Sequence, residues 1–146
     1  MLYIATDHGG FQLKKYLIRY LKTQLKTKAV DLGPKKYDKE DDYPDYAIPL
    51  ARKVAQGKNN KGILICRMGN GTCIAANKVK GIRAAVAFNI DAAEYARRDN
   101  NANIICLSGD VVSNEHAAAI VKKFLESGFD GGRHARRMDK IAAIEK

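Results

Sequence analysis

The segment from Cys66 to Thr72 has residue types suited to proton transfer beside a bound anion. Its glycines, Gly69 and Gly71, allow the main chain to approach a ligand and to point free N–H groups at it. Such a nest of N–H groups favours a phosphate or an oxyanion formed during a reaction. A thiol beside the start of a helix is shifted towards its reactive thiolate form. Alternatively, Cys66 is a buried cysteine that ends a strand before an ordinary glycine turn, and its position alone does not separate the two interpretations.

The same segment fails the two common nucleotide-binding patterns. The dinucleotide pattern GxGxxG is broken because Ile74 stands where the third glycine should be. The P-loop pattern is broken because no Gly-Lys-Ser/Thr follows the glycines. Neither motif therefore predicts a nucleotide site here.

Two other segments carry polar groups suited to a phosphorylated ligand. Asp7 and His8 follow an apolar run, so the carboxylate could bind sugar hydroxyls and the imidazole a phosphate. Alternatively, Asp7 caps the following helix and His8 is a solvated turn residue. Arg133 and Arg137 lie four residues apart, on one face if the segment is helical, and could fork onto a phosphate. The alternative for these arginines is a solvated basic tail.

Five short apolar runs alternate with amphipathic helical patterns along the chain. The predicted strands are residues 2–5, 29–32, 62–66, 84–88 and 103–107. This alternation predicts a single α/β domain over residues 1–146, doubly wound and Rossmann-like, with a five-stranded parallel sheet and helices on both faces. In such sheets ligands bind beyond the carboxyl ends of strands, where the strand order reverses. Asp7 and Cys66 both follow strands, so we expect them at that edge.

Length and composition limit the class of protein. The chain has 146 residues, 46% apolar and 29% charged, which fits one domain whose core needs neither disulfides nor metal. No apolar run is long enough to span a membrane, and the N-terminal residues do not resemble a signal peptide. The three cysteines, Cys66, Cys73 and Cys106, form no CxxC pair and suit a reducing cytoplasm. With only three histidines, a metal site built from histidine is not expected.

The net charge of +10 raises the question of a nucleic-acid partner. Lysines and arginines are spread along the whole chain, and no zinc finger, RNP signature or GxxG clamp accompanies them. We therefore interpret the charge as a basic surface with one site for an anionic ligand, and the charge alone does not decide the matter.

Seven short blocks occur in an order typical of one enzyme family. They are DHGGF at 7–11, DYPDYA at 42–47, GILIC at 62–66, IAANK at 74–78, GIRAA at 81–85, NNAN at 100–103 and GGRH at 131–134. Together they closely resemble the sugar-phosphate isomerases that include ribose-5-phosphate isomerase B and the galactose-6-phosphate isomerase subunits. The resemblance runs from about Tyr3 to Arg137. It implies an aldose–ketose isomerase of carbohydrate metabolism, without metal or organic cofactor, that moves a proton between C2 and C1 through a cis-enediolate.

The resemblance also implies roles for individual residues. Cys66 matches the family's catalytic base, and the amides of Gly69, Asn70 and Gly71 match the loop that holds the enediolate oxygens. The positions that match the sugar and phosphate site are Asp7, His8, Asn100, Arg133 and Arg137. The family builds its site between two subunits. A homodimer or tetramer is therefore implied, with the basic tail 131–146 packing on a partner subunit, and neither a membrane nor a nucleic acid is an expected partner.

Three departures from the family pattern fall at the predicted site. Arg67 and Met68 stand where the family has glycine and threonine, so both become candidate substrate-binding residues. Asp99 replaces the histidine that helps to open the sugar ring, and an exposed aspartate is a poor general acid near neutral pH. Asp110 replaces an arginine that contacts phosphate, and Arg67 is the only obvious compensation for that change.

These departures leave three functions open. The first is isomerisation of a phosphosugar, with ribose 5-phosphate to ribulose 5-phosphate as the default. An open-chain tetrose 4-phosphate is a variant of this function, because such a sugar needs no ring opening and Met68 would fill the space it leaves. The second is a non-catalytic sugar-phosphate binder or one subunit of a heteromer. The third is a nucleic-acid-binding module.

Overall fold

The computed structural model describes residues 1–145. Its strands are β1 (Leu2–Thr6), β2 (Ala29–Asp31), β3 (Lys61–Cys66), β4 (Ala84–Val86) and β5 (Ile104–Ser108). Its helices are α1 (Phe11–Thr23), α2 (Pro44–Ala55), α3 (Asn70–Asn77), α4 (Ile90–Arg98), α5 (Asn114–Glu126) and α6 (Arg133–Ala142), and a short 3-10 turn (His8–Gly10) joins β1 to α1. The predicted alternation of strands and helices is confirmed, and the strand ends lie within two residues of those expected.

Local sequence signals set the helix starts. The side chain of Asn89 accepts a hydrogen bond from Ala92 N at the start of α4, and the predicted cap Ser113 accepts one from His116 N at the start of α5. Pro44 occupies the first turn of α2, where a missing N–H costs nothing. Within residues 1–145, no helix combines the length and the apolar character needed to cross a membrane.

The sheet is wholly parallel, with strand order β2-β1-β3-β5-β4. The chain winds outward from β1 in one direction to β2 and in the other to β3, so the strand order reverses between β1 and β3. Thr6 pairs with Ile65 across these two strands, and Cys66 pairs with Ser108 of β5. The carboxyl ends of β1 and β3 therefore open side by side at the crevice where ligands bind in such sheets.

Two hydrophobic cores lie on opposite faces of the sheet. Alternate strand residues point to opposite sides, so Ile63 and Ile65 pack against α1, α4 and α5, whereas Leu64 packs against α2 and α3. An ion pair between a buried lysine and a partly exposed aspartate also connects α1 to β2: Lys14 Nζ lies 2.8 Å from Asp31 Oδ1 and donates to the Pro34 carbonyl at 2.7 Å. The predicted helices on both faces are confirmed.

Helix α6 contributes no buried residue to either core. Its Ile141 and the following Ile144 are exposed. The end of the tail is held to its own chain, since Gly81 N donates to both carboxylate oxygens of Glu145 at 3.1 Å. The final residue of the predicted tail, 146, lies outside the described residues.

Candidate active site

The sulfur of Cys66 lies at the carboxyl end of β3, where α3 begins. Gly69 N donates a hydrogen bond to Cys66 Sγ at 3.1 Å, and the hydroxyl of Thr72 lies 3.6 Å from the same sulfur. Gly69 adopts a left-handed conformation (φ 86°), which lets the chain turn back over the sulfur. The Cys66 side chain is nearly buried, with 6% of its surface exposed. The Gly69 N–H and the Thr72 hydroxyl are therefore both close to this sulfur.

The first turn of α3 presents main-chain donors beside this sulfur. The N–H groups of Asn70, Gly71 and Thr72 begin the helix and have no internal partner, as for every helix start. The ring of Tyr43 packs against Gly71 so closely that a Cβ at this position would overlap the ring. The turn therefore offers free N–H groups to an oxyanion, and only a glycine leaves room for the neighbouring ring.

Asp7 lies one strand away, at the carboxyl end of β1. Its Oδ1 accepts a hydrogen bond from Gly9 N at 2.8 Å, so this carboxylate caps the 3-10 turn. Burial raises the pKa of Asp7, while the Gly9 hydrogen bond and the neighbouring His8 oppose that shift. The capping interpretation of Asp7 is thus confirmed, and its other oxygen is left for a ligand.

His8 is held by a carboxylate from a distant loop. Its main-chain N donates to Asp41 Oδ1 at 3.0 Å, and its ring Nδ1 lies 2.7 Å from the same oxygen. This side-chain hydrogen bond is the main reason that the pKa of His8 is raised. His8 is therefore not the freely solvated turn residue of the alternative interpretation.

The two departures Arg67 and Asp110 pair with each other. Arg67 Nε donates to Asp110 Oδ2 at 2.9 Å, and Asp110 N donates to the Arg67 carbonyl at 3.1 Å. The predicted compensation of charge is confirmed as an ion pair. Met68 follows with its side chain 42% exposed, so it can contact a ligand at the mouth of the crevice.

Asp99 and Asn100 lie at the opposite edge of the sheet. Helix α4 returns the chain from the carboxyl end of β4, and both residues precede β5. Asp99 Oδ1 lies 3.5 Å from His134 Nε2 in α6. Asn100 lines a cavity of about 250 Å³ that α6 closes with Met138 and Ile141.

Arg133 and Arg137 belong to this second group. Both lie on the exposed side of α6, four residues apart, as the helical interpretation predicts. Within residues 1–145 neither guanidinium forms a hydrogen bond or an ion pair. Both are available to an anion.

One chain does not bring all the predicted site residues together. The first group, at the carboxyl edge, comprises Asp7, His8, Cys66, Arg67, Met68, Gly69, Asn70 and Gly71. The second, at the amino edge, comprises Asp99, Asn100, Arg133 and Arg137. Strand β5 separates the two edges by about 13 Å between Ile104 and Ser108. The structure therefore brings the first group together and leaves the second at the other end of the sheet.

Comparison with known proteins identifies this architecture. The family model described as "Ribose/Galactose Isomerase" matches residues 2–141. The chain belongs to the ribose/galactose isomerase family. It is accordingly an aldose–ketose isomerase, as its sequence blocks imply.

Individual relatives cover nearly the whole chain. It is 47% identical over 145 residues to the "Probable ribose-5-phosphate isomerase B" of Mycoplasma pneumoniae, spanning 99% of this chain and 95% of that protein. A crystal structure of ribose-5-phosphate isomerase B from Mycoplasma genitalium with bound ribulose-5-phosphate is 47% identical, with a TM-score of 0.94 over 97% of this chain and 93% of that one. The Clostridium thermocellum ribose-5-phosphate isomerase B is 42% identical, with a TM-score of 0.93 over 98% and 95% of the two chains.

Two residues of this family member were not anticipated at the site, and a third, Thr72, belonged to the predicted segment but had no assigned role. Asp41 contacts His8, Tyr43 covers Gly71, and Thr72 places a hydroxyl near the Cys66 sulfur. Tyr43 lies within the DYPDYA block, so that block was the available signal. Thr72 follows directly after the glycine turn, at a helix position that faces the sulfur. For Asp41 no sequence signal distinguishes it from the other acidic residues of the 38–42 loop.

Proposed function

We propose that this protein interconverts ribose 5-phosphate and ribulose 5-phosphate, an isomerisation of the pentose phosphate pathway, with neither metal nor organic cofactor. The observation that carries the proposal is the Cys66 sulfur held 3.1 Å from Gly69 N beside the unpaired amides of α3. A relative of 47% identity that binds ribulose-5-phosphate supports the choice of substrate.

Cys66 acts as the base in this proposal. The thiolate removes the C2 proton of the open-chain aldose, leaving a cis-enediolate whose charge is spread over O1 and O2. The N–H groups of Gly71 and Asn70 stabilise that charge. The thiol returns the proton to C1 while a proton moves from O2 to O1, which gives the ketose. No proton or electron is lost, so the sugar needs no co-reactant.

Residues other than Cys66 bind the phosphate and assist ring opening. His8 beside the crevice and the unpaired Arg133 and Arg137 supply positive charge for the phosphate. Asp99 replaces the family's ring-opening histidine, but His134 lies 3.5 Å from its carboxylate. An imidazole therefore stands next to the altered position. This neighbour favours a cyclic pentose phosphate over the open-chain tetrose 4-phosphate.

We further propose that the active unit is a homodimer, or a tetramer built from such dimers, with Asp99, Asn100, Arg133 and Arg137 supplied by the partner. The separation of the two groups supports this assembly. So does the exposure of four apolar side chains near the β4 edge and on α3 and α4, namely Ile74, Phe88, Ile90 and Tyr95. The cysteines, which are all free thiols, suit a cytoplasmic location.

Turnover of a panel of phosphosugars tests the proposed substrate. Purified protein should convert ribose 5-phosphate faster than a tetrose 4-phosphate or a hexose 6-phosphate, and should exchange the C2 proton with solvent. Cys66→Ala should abolish both turnover and exchange, while Cys73→Ala, which changes a cysteine away from the site, should retain them. No turnover by the pure protein would instead support a non-catalytic binder or a heteromer subunit, and salt-sensitive binding to a generic duplex would support the nucleic-acid function.

Mixing two inactive variants tests the shared site. Cys66→Ala and Arg137→Ala damage different halves of it, so a mixed dimer contains one intact site and one doubly damaged site. Random exchange of subunits should restore about one quarter of the wild-type activity. Activity that stays at zero after subunit exchange, with dimers seen by sedimentation, would contradict a site shared between chains.

A further inference from the structure

The loop that precedes α2 places one carboxylate against His8. Asp41 is 33 residues away in sequence, yet its Oδ1 lies within hydrogen-bond distance of both the main-chain N and the ring Nδ1 of His8. The side chain of Asp41 is 94% buried, whereas that of His8 is 28% exposed. The carboxylate is thus covered by protein, and the imidazole is the member of the pair that reaches solvent.

This geometry leaves one ring nitrogen of His8 for a ligand. Nδ1 is occupied by Asp41 Oδ1 at 2.7 Å, and within residues 1–145 Nε2 has no hydrogen-bond partner. When one ring nitrogen donates to a carboxylate, the ring is fixed in orientation and its protonated form is favoured. The free Nε2–H then points away from Asp41, on a side chain that is partly exposed.

We propose that Asp41 is a positioning residue for phosphate recognition: it holds the His8 ring so that Nε2–H donates to the substrate phosphate. The inference rests on the proposed function, because it takes His8 to be a phosphate ligand. Asp41 itself does not contact the substrate. Its second oxygen, Oδ2, is buried without a hydrogen-bond partner in the described part of the chain. The Tyr46 phenol is the other group that interacts with this carboxylate.

A shared metal ion explains the same residues less well. Asp7, His8 and Asp41 offer ligand atoms that all lie within 4.8 Å of one another. However, two donors on one tetrahedral zinc ion stand roughly 3.4 Å apart, since each bond is about 2.0–2.1 Å long. The Nδ1–Oδ1 distance of 2.7 Å is that of a hydrogen bond. Asp7 Oδ1 is also occupied by Gly9 N.

Other charged groups face the pair from the surrounding elements. Asp7 precedes His8 and adds to the raised pKa of the imidazole, whereas partial burial opposes it. From α2, Tyr46 faces Asp41, and burial followed by the Asp41 charge raises the pKa of that phenol. Arg67 packs against Gly9 from the loop after β3, but its guanidinium is paired with Asp110. Asp41 is therefore the dominant partner of the imidazole.

Titration of the imidazole by NMR tests the pair without any assay of turnover. The protein has three histidines, so His116 and His134 serve as internal references. Asp41→Asn keeps an oxygen that can accept the hydrogen bond but removes the charge, so the His8 titration should move to lower pH while the references do not move. Glu40→Gln, the matched control, removes one charge from the same loop without touching His8. An unchanged His8 titration in Asp41→Asn would overturn the inference.

Steady-state kinetics with ribose 5-phosphate test whether Asp41 affects recognition of the substrate phosphate. Asp41→Ala should raise KM about tenfold, the factor expected from loss of one charge-assisted hydrogen bond, and leave kcat nearly unchanged. Asp41→Asn should raise KM by a small factor at low pH and by a larger factor as the pH increases. In a His8→Gln background, Asp41→Ala should add no further loss, because its effect acts through His8. Additive losses would show a merely structural role and overturn the proposal.

Inorganic phosphate separates this inference from the proposed function. If the protein turns over no pentose phosphate, phosphate should still shift the His8 resonances of the wild type and shift them less in Asp41→Ala. A phosphate response that is identical in the two proteins would overturn the positioning role, whatever the substrate. A shift of the His8 resonances by zinc or manganese alone, reversed by a chelator, would establish the metal alternative instead.

Discussion

Arg67 and Asp110 neutralise each other across the end of the sheet, with Arg67 Nε 2.9 Å from Asp110 Oδ2. Both positions depart from the family pattern: Arg67 adds a cation where the family has glycine, and Asp110 removes the cation of the family's arginine. The pair lies beside Gly9, whose main chain contacts Arg67. The guanidinium of Arg67 is thus already paired with Asp110. Other residues must therefore recognise the phosphate.

Releasing Arg67 should strengthen substrate binding. Asp110→Asn removes the partner of Arg67 and adds one net positive charge at the crevice, so KM for the phosphosugar should fall, most clearly at low ionic strength. Stability should change by less than about 1 kcal/mol, because the pair is exposed. Steady-state kinetics at two salt concentrations measure the effect. Glu115→Gln, an equal charge change at an exposed residue in the first turn of α5, is the control, and an equal fall in KM there would indicate only a general charge effect.

The Thr72 hydroxyl should support the reactive sulfur. It lies 3.6 Å from Cys66 Sγ and 3.1 Å from the Gly69 carbonyl, so its single proton can serve either acceptor. Thr72→Val keeps the shape and removes the hydroxyl, and we expect kcat to fall about tenfold, in line with one lost hydrogen bond of about 1–1.5 kcal/mol. Thr72→Ser should retain most activity. Equal rates for the valine and serine variants would show that the sulfur does not use this hydroxyl.

The Lys14–Asp31 pair should matter for stability rather than catalysis. Only 2% of the Lys14 side chain is exposed, and it bonds both Asp31 and the Pro34 carbonyl. Lys14→Met removes the donor to both acceptors, although Asp31 Oδ1 keeps its hydrogen bond from Gly33 N at 2.9 Å. We expect the free energy of unfolding to fall by about 2 kcal/mol. Urea denaturation measures this change. Lys15→Met, the exposed neighbour, should change it by less than about 0.5 kcal/mol; a similar loss in both variants would contradict the importance of the Lys14–Asp31 pair.

The His8–Asp41 pair should make stability depend on pH. Because the pKa of His8 is raised in the folded protein above the ordinary histidine value of about 6.5, the protonated ring stabilises the fold fully below about pH 6.5. This contribution is lost as pH rises through the higher folded pKa. The free energy of unfolding, measured in urea from pH 5.5 to 8.5, should fall over that interval more in the wild type than in His8→Gln. Identical pH profiles for the two proteins would rule out the coupling.

The alternation of apolar runs and helices was enough to predict the sheet, its two covered faces and the edge that carries Cys66. This follows because short-range patterns govern strands and helices, and a parallel sheet brings the ends of its neighbouring strands together. Ser113 was predicted as a cap for the same reason, since a cap involves only residues within one turn. The order β2-β1-β3-β5-β4 then required the structure, because strand order depends on which helices pack on which face.

Sequence patterns did not predict the contacts between distant loops. Asp41 is one of several acidic residues in its loop, and only the folded chain selects it as the partner of His8. Arg67 and Asp110 are 43 residues apart, so the sequence indicated a charge compensation but no geometry. The sequence by itself determined which residue types stand at the ends of the strands. Tertiary structure decided which of them meet, because the packing of β1, β3 and β5 sets the distances between groups that the chain keeps far apart. It also placed Asp99 and the α6 arginines at the other edge of the sheet.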